Sequence, residues 1–123
     1  MSTIEQVIAH FGESLGITGL TLPEQGTLNL QIERIGNIYL ERGKEEILLY
    51  MTRELPQFSE KILQQALVLC HIDQGHPYHV QIALQDKNTL VFLVRLAEHE
   101  VILPVIEQVI SLLRELHDKI ATV

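Results

Sequence analysis

Soft and borderline metal ligands gather once along this chain, at Cys70-His71 with His76 and His79 close behind. Thiolate and neutral imidazole at short spacing are the donors that hold zinc and related ions. The same residues also read as a small core cysteine on a helix and three histidines in or beside a solvated loop. No second ligand pair follows to close a tetrahedral site. His10, beside the apolar positions of a helix, and His99, between Glu98 and Glu100, are the other imidazoles to consider as acid or base groups. Neither has a nucleophile at a recognisable spacing, as a catalytic pair requires. The run Glu41-Arg42-Gly43-Lys44-Glu45-Glu46 is either a charged recognition site or a solvated hairpin tip. Nothing matches GxxxxGK followed by Ser or Thr, GxGxxG, HExxH, GxSxG or paired CxxC. The expectation is a binding protein, not an enzyme, with no catalytic residue, no cofactor and no metal.

The elements that must carry these residues follow from hydrophobic periodicity. Ile4, Val7, Ile8, Phe11 and Leu15 recur at helical spacing, Ser2 or Thr3 can cap the start, and Gly16 can end it, predicting a helix over residues 3–15. Residues 16–26, with Gly19, Pro23 and Gly26, read as a loop. From Thr27 the period becomes two: Leu28, Leu30 and Ile32 alternate with Asn29, Gln31 and Glu33. Gly36-Asn37 supplies a turn, Ile38 and Leu40 resume the alternation, and Gly43-Lys44 turns the chain again into Ile47-Leu48-Leu49-Tyr50-Met51. Three antiparallel strands result. Pro56 closes that region, and Ser59 can cap a helix whose stripe is Ile62, Leu63, Ala66, Leu67 and Cys70. The loop Asp73-Gln74-Gly75-His76-Pro77 leads to a strand carrying Tyr78, Val80, Ile82 and Leu84, then a turn at Asp86-Lys87-Asn88 and a strand over residues 89–97. A long helix over residues 101–121 ends the chain, with Pro104 tolerated in its first turn. The predicted class is α+β, an antiparallel sheet with helices in the order α-β-β-β-α-β-β-α, as one domain over residues 1–123.

Composition narrows the partners. Lys and Arg number 9 against 16 Asp and Glu, a formal charge of −7, and the basic side chains form no stripe. Nucleic acid is therefore excluded as a partner, because phosphate binding needs clustered positive charge. Cys70 has no intramolecular partner for a disulfide, and the opening residues lack a signal peptide's charge and apolar run, which fits a reducing cytoplasm. The longest apolar runs fall well short of the roughly 20 residues of a membrane span, so no membrane insertion is expected.

Hydrophobic residues make up 46% of the chain. The strand over residues 89–97 is apolar on both faces, through Leu90, Phe92, Val94 and Leu96 on one and Val91 and Leu93 on the other. The second helix, widened by Val68 and Leu69, is more apolar than one sheet face requires. A well-filled monomer core and an interaction surface are both compatible with this excess.

The helix–strand order and its local residues resemble the type III secretion chaperones of class I, the Tir chaperone-like family. The likeness begins at Val7-Ile8-Ala9-His10-Phe11-Gly12-Glu13-Ser14-Leu15-Gly16-Ile17. It continues through the three-strand meander, Ile62-Leu63-Gln64-Gln65-Ala66-Leu67, the strand pair and the terminal helix. The chain departs from the family where a small-residue–Asn pair is replaced by Gln65-Ala66-Leu67, and it has no Trp. The resemblance implies a bacterial cytoplasmic homodimer that keeps the N-terminal chaperone-binding segment of one or more secreted effectors extended. It delivers that segment to the secretion apparatus without ATP, and the secretion ATPase is a further partner. By position, effector contact is expected at Ile4, Ile8, Phe11, Leu28, Leu30, Ile32, Ile38 and Leu40, some of which must instead be core. Dimer contact is expected at Leu63, Leu67, Val91 and Leu93. A small α+β regulatory interaction domain, or a metal- or small-ligand-binding domain, is the alternative.

Overall fold

Thr3 and Gln6 start the first helix by capping each other: the Gln6 amide donates to Thr3 Oγ1 at 3.2 Å, and the Thr3 amide donates to Gln6 Oε1 at 2.9 Å. This reciprocal box satisfies two amides that a helix start leaves unpaired. In the computed structural model, which describes residues 3–71 and 74–122, this helix α1 spans Ile4–Ser14. Ser2, the other expected cap, and Asp73 of the expected loop lie outside the described residues. Gly16 takes a φ of +80°, and the Ile17 amide returns to the Gly12 carbonyl at 2.8 Å, which ends α1 as the periodicity predicts. The chain then folds back over the helix. A Cβ on Gly12 would lie 2.6 Å from Leu20 Cβ, so only glycine admits this approach.

Strands β1 (Thr27–Ile32), β2 (Gly36–Arg42) and β3 (Glu46–Glu54) form the meander. Its first turn falls at residues 33–35, ahead of the expected Gly36-Asn37, which instead open β2. Arg34 adopts a φ of +70° and Gly36 one of +125°. The Thr52 carbonyl oxygen stands 2.6 Å from where a Gly36 Cβ would be. Glycine is needed at the strand start for close approach. The second turn lies where Gly43 predicts it, with the Gly43 amide bonded to the Glu46 carbonyl at 2.8 Å.

Ser59 Oγ accepts from the Ile62 amide at 3.3 Å and starts α2 (Glu60–Cys70). Strands β4 (Val80–Leu84) and β5 (Thr89–Ala97) follow, joined by a turn in which Asp86 Oδ1 accepts from the Asn88 and Thr89 amides, each at 3.0 Å. These bonds hold the Asp86 carboxyl below its usual range. A 3-10 turn (Glu98–Glu100) leads to α3 (Leu103–Ala121), with Pro104 in its first turn.

All pairings are antiparallel, and the sheet order is β1-β2-β3-β5-β4. The chain leaves β3 through α2, lays β4 on the far edge, and returns β5 into the gap. Alternate side chains Ile47, Leu49 and Met51 of β3 and Leu90, Phe92, Val94 and Leu96 of β5 pack with Ile106, Val109, Leu113, Leu116 and Ile120 of α3. Helices α1 and α2 flank α3 and complete one core on one face of the sheet. The agreement with the expected α-β-β-β-α-β-β-α order is complete.

His117 of α3 is buried in this core at 1% exposure. Its Nε2 lies 2.9 Å from the Met51 carbonyl, which only accepts, so Nε2 carries the proton. Nδ1 is then a bare acceptor, buried and unpaired, and the ring meets Phe92 edge-on at 4.7 Å between centroids. Burial drives the His117 pKa down to about 4, and the nearby Arg53 charge adds to it, against the Met51 bond and Asp118. Above the ordinary value of 6.5 both folded and unfolded forms are neutral there. As pH falls from about 6.5 to about 4, the unfolded chain takes up a proton that the folded one refuses. Stability is lost across that window, by about 3 kcal/mol from this group. Urea unfolding at stepped pH should show the loss, and His117→Gln, which keeps a donor for Met51, should flatten it. An unchanged slope in that variant would assign the loss to other groups.

Candidate functional site

The helix-covered face leaves two other surfaces free: the edges of the sheet and its opposite face. Edge strand β1 carries Thr27, Leu28, Asn29, Leu30, Gln31 and Ile32, with no charge and no proline. Leu28 lies opposite Leu40, and Leu30 opposite Ile38. The three apolar residues of β1 therefore point to the helix-covered side, where they are half-buried at the rim of the core. Thr27, Asn29 and Gln31 are exposed. Edge strands usually carry Lys, Pro or a bulge that discourages further pairing. β1 has no charged residue or proline, and among the described residues no strand lies beside its outer row of backbone donors and acceptors.

The expected effector-contact residues divide on this geometry. Leu28, Leu30 and Ile32 lie together on the open edge. Ile4 is half-buried at the start of α1 and lines a cleft of about 510 Å³ with Glu45, Ala97, Glu98 and His99. Ile8 and Leu40 at 0% exposure, Ile38 at 1% and Phe11 at 2% are core residues instead. They share the periodicity of the others but are covered by α3 and the central strands, so no partner reaches them without opening the core. Leu15, the last position of the predicted stripe, and Ile17 lie beyond the end of α1 as exposed apolar surface, at 41% and 37% exposure.

The expected dimer residues fall on two sides of the sheet. On α2, Leu63, Leu67 and Val68 are exposed, the last two by half. Val91 and Leu93 of β5 lie on the face that no helix covers, Val91 buried among its neighbours and Leu93 half-buried. Residues paired across the strands build that face in rows. Gln31, Asn37, Thr52, Val91 and Ala83 form one, and Asn29, Tyr39, Tyr50, Leu93 and Gln81 the next. Tyr39 and Tyr50 stack at 4.9 Å and 9° in its middle. Desolvation, followed by the Glu41 charge, raises the Tyr50 pKa, so its hydroxyl stays protonated at neutrality. This stacked pair escapes a reading of single strands, because it needs the β2–β3 register.

One group of chemistry-bearing residues lies together. Cys70, His71, His76, Tyr78 and His79 line a cleft of about 220 Å³. Burial pushes the Cys70 thiol up to about 11, so it is not a thiolate at neutral pH. His76 Nε2 is committed to the Leu69 carbonyl at 2.6 Å. Among the described residues no group of three His, Cys, Asp or Glu could hold a metal ion, and no helix is long and apolar enough to cross a membrane. Residues 41–46 form the β2–β3 hairpin end, with Arg42 bonded to Glu5 at 3.3 Å and Glu46 to Arg95 at 2.8 Å.

The profile of the type III secretory system chaperone SycN matches residues 3–121. The chain belongs to that family. Chaperone protein SycN of Yersinia enterocolitica is 26% identical over 121 residues, 98% of each chain. Among solved structures, a chain of the ExsC–ExsE complex superposes with a TM-score of 0.71 at 16% identity, covering 91% of this chain and 86% of that one. A chain of the HopA1–SchA chaperone–effector complex gives 0.67 at 17% identity, covering 91% and 88%. At such identities the likeness is one of fold alone. For this SycN-family chain, the chaperone role agrees with the expectation that the family resemblance implies.

The division between core and rim has a measurable consequence. Leu40→Ala should cost about 2–5 kcal/mol, as removal of a fully buried leucine does. Leu30→Ala should cost clearly less, because water already reaches that side chain. Urea titrations of the two variants check this, and equal losses would place Leu30 inside the core.

Proposed function

We propose that this chaperone holds the N-terminal chaperone-binding segment of a secreted effector as an extended strand added to β1. The observation that carries the reading is the uncharged, unpaired edge of β1 with half-buried Leu28, Leu30 and Ile32 along its inner side. An added strand gains main-chain hydrogen bonds from the edge and places alternate side chains against those three residues. Ordering a segment costs entropy, and the rim of the core offers apolar surface to offset it. The solved HopA1–SchA pair, a chaperone–effector complex with this fold, supports an effector as the occupant. Ile4, in its cleft with Glu45, Ala97, Glu98 and His99, offers the segment a separate apolar contact beyond the strand.

A second copy docks on α2 through Leu63 and Leu67, giving a homodimer. This surface is favoured over Val91 and Leu93 because Leu67 is half exposed, whereas Val91 is 7% exposed. The chaperone works in the bacterial cytoplasm without ATP and without catalysis, and passes the loaded segment to the secretion ATPase.

The test is purification of the tagged chain from a bacterium that carries its own type III secretion system, followed by limited proteolysis of what is bound. A segment protected in the complex and degraded alone is expected; a partner that resists protease on its own would instead make this a regulatory docking domain. Leu30→Asp should abolish co-purification while circular dichroism keeps its helix content. Full binding in that variant would remove β1 from the reading. By light scattering, Leu67→Asp should halve the mass of the unloaded protein, and a monomeric unaltered chain would refute the homodimer.

A further inference from the structure

Arg53 of β3 reaches out of the sheet to two other elements. Its Nε donates to the Ile35 carbonyl of the β1–β2 turn at 2.5 Å, and its Nη1 donates to Asp118 Oδ1 of α3 at 2.7 Å. The side chain is 17% exposed, and Nη2 is buried without a partner. Asp118 is further oriented by Arg114 one turn earlier, at 3.9 Å. The planar guanidinium thus ties a turn, a central strand and the longest helix together in one fork, which an ammonium cannot reproduce.

The turn it holds is one that the backbone resists. Arg34 sits at a φ of +70°, in the left-handed region that side chains other than glycine enter at a cost. Gly36, at a φ of +125°, lies where any Cβ would meet the Thr52 carbonyl. A cleft of about 590 Å³ opens at this end, lined among others by Gln31, Glu33, Arg34, Asn37 and Arg53. β1 has a neighbour on one side only, so its outer end depends on this turn for its alignment. Edge strands with few contacts are where local opening begins.

We propose that Arg53 is a positioning residue for the bound segment. By locking the β1–β2 turn to α3, it holds the free edge of β1 in the geometry that an incoming strand needs. The proposal rests on the strand-addition reading above, and it makes α3 a support for the binding edge as well as a core element. Asp118 is the other half of the lock.

The experiment compares the full-length protein with Arg53→Lys, which keeps the charge and loses the fork, and with Asp118→Asn. Amide hydrogen exchange at residues 28–32 should quicken about tenfold in Arg53→Lys, the scale of one lost charged hydrogen bond. The effect should be smaller in Asp118→Asn, and the amides of β4, the other edge, should be unchanged in both. The segment recovered by protease protection should leave Arg53→Lys about tenfold faster at unchanged stoichiometry. Exchange that quickens equally in β1 and β4 would reduce Arg53 to general stability and overturn the proposal. So would a loosened β1 that still holds the segment as long as before. If the unaltered protein retains no segment, the strand-addition reading fails separately, while the comparison of β1 with β4 still decides whether Arg53 locks the edge.

Discussion

The sheet buries one of its faces deeply, and α3 is what makes that possible. Its stripe from Ile106 to Ile120 runs over β3 and β5, the two strands that the sheet order places side by side although α2 and β4 separate them along the chain. Each Leu, Ile or Phe sealed there contributes about 1.5–3 kcal/mol relative to an exposed position. A period of 3.6 along the helix meets a period of two along the strands, so only alternate strand residues are drawn into the core. The other half of every strand is released from helix packing, although Thr52 and Val91 there are covered by their neighbours. That release lets β2 and β3 carry a tyrosine pair, and lets β1 end the sheet with amides and a hydroxyl facing outward.

The same constraint explains what was legible in the sequence. The Thr3–Gln6 cap, the Gly16 stop, the Gly43 turn and the alternation of Leu28, Leu30 and Ile32 are local, and local chemistry set them as expected. Ile38 and Leu30 are alike in type and in alternation, yet one is sealed and the other lies at the rim. What separates them is the order of strands, and that depends on β5 entering between β3 and β4, a contact distant in sequence. The turn lies at residues 33–35 and not at Gly36-Asn37 for a related reason: Arg34 accepts a positive φ, and Gly36 opens β2 where a Cβ would meet the Thr52 carbonyl across the sheet. His117 looks like a polar residue on an amphipathic helix. Only the position of Phe92 and Met51 beneath it shows why it is neutral and buried.

Sequence identity of 16% with a chain that superposes at a TM-score of 0.71 fits this picture. A fold can persist at such identity because a core needs volume and periodicity more than particular side chains. Residues such as Arg53 and His117 belong to a different category: their bonds are directional, so neither volume nor hydropathy predicts them. They join β3 to α3 at adjacent positions, 51–53 on one and 117–118 on the other, and make the seam between sheet and helix specific as well as apolar.

The tyrosine stack has a consequence for how the molecule is seen by light. The chain has no tryptophan and three tyrosines, so phenol rings dominate its near-ultraviolet spectrum. Two of the three lie nearly parallel and in contact on the bare face of the sheet. Their electronic transitions are coupled, and the sign and size of the resulting circular dichroism depend on the angle between the rings. The uncovered side of the sheet therefore carries its own chromophore, one that changes when a neighbour settles on it and needs no label.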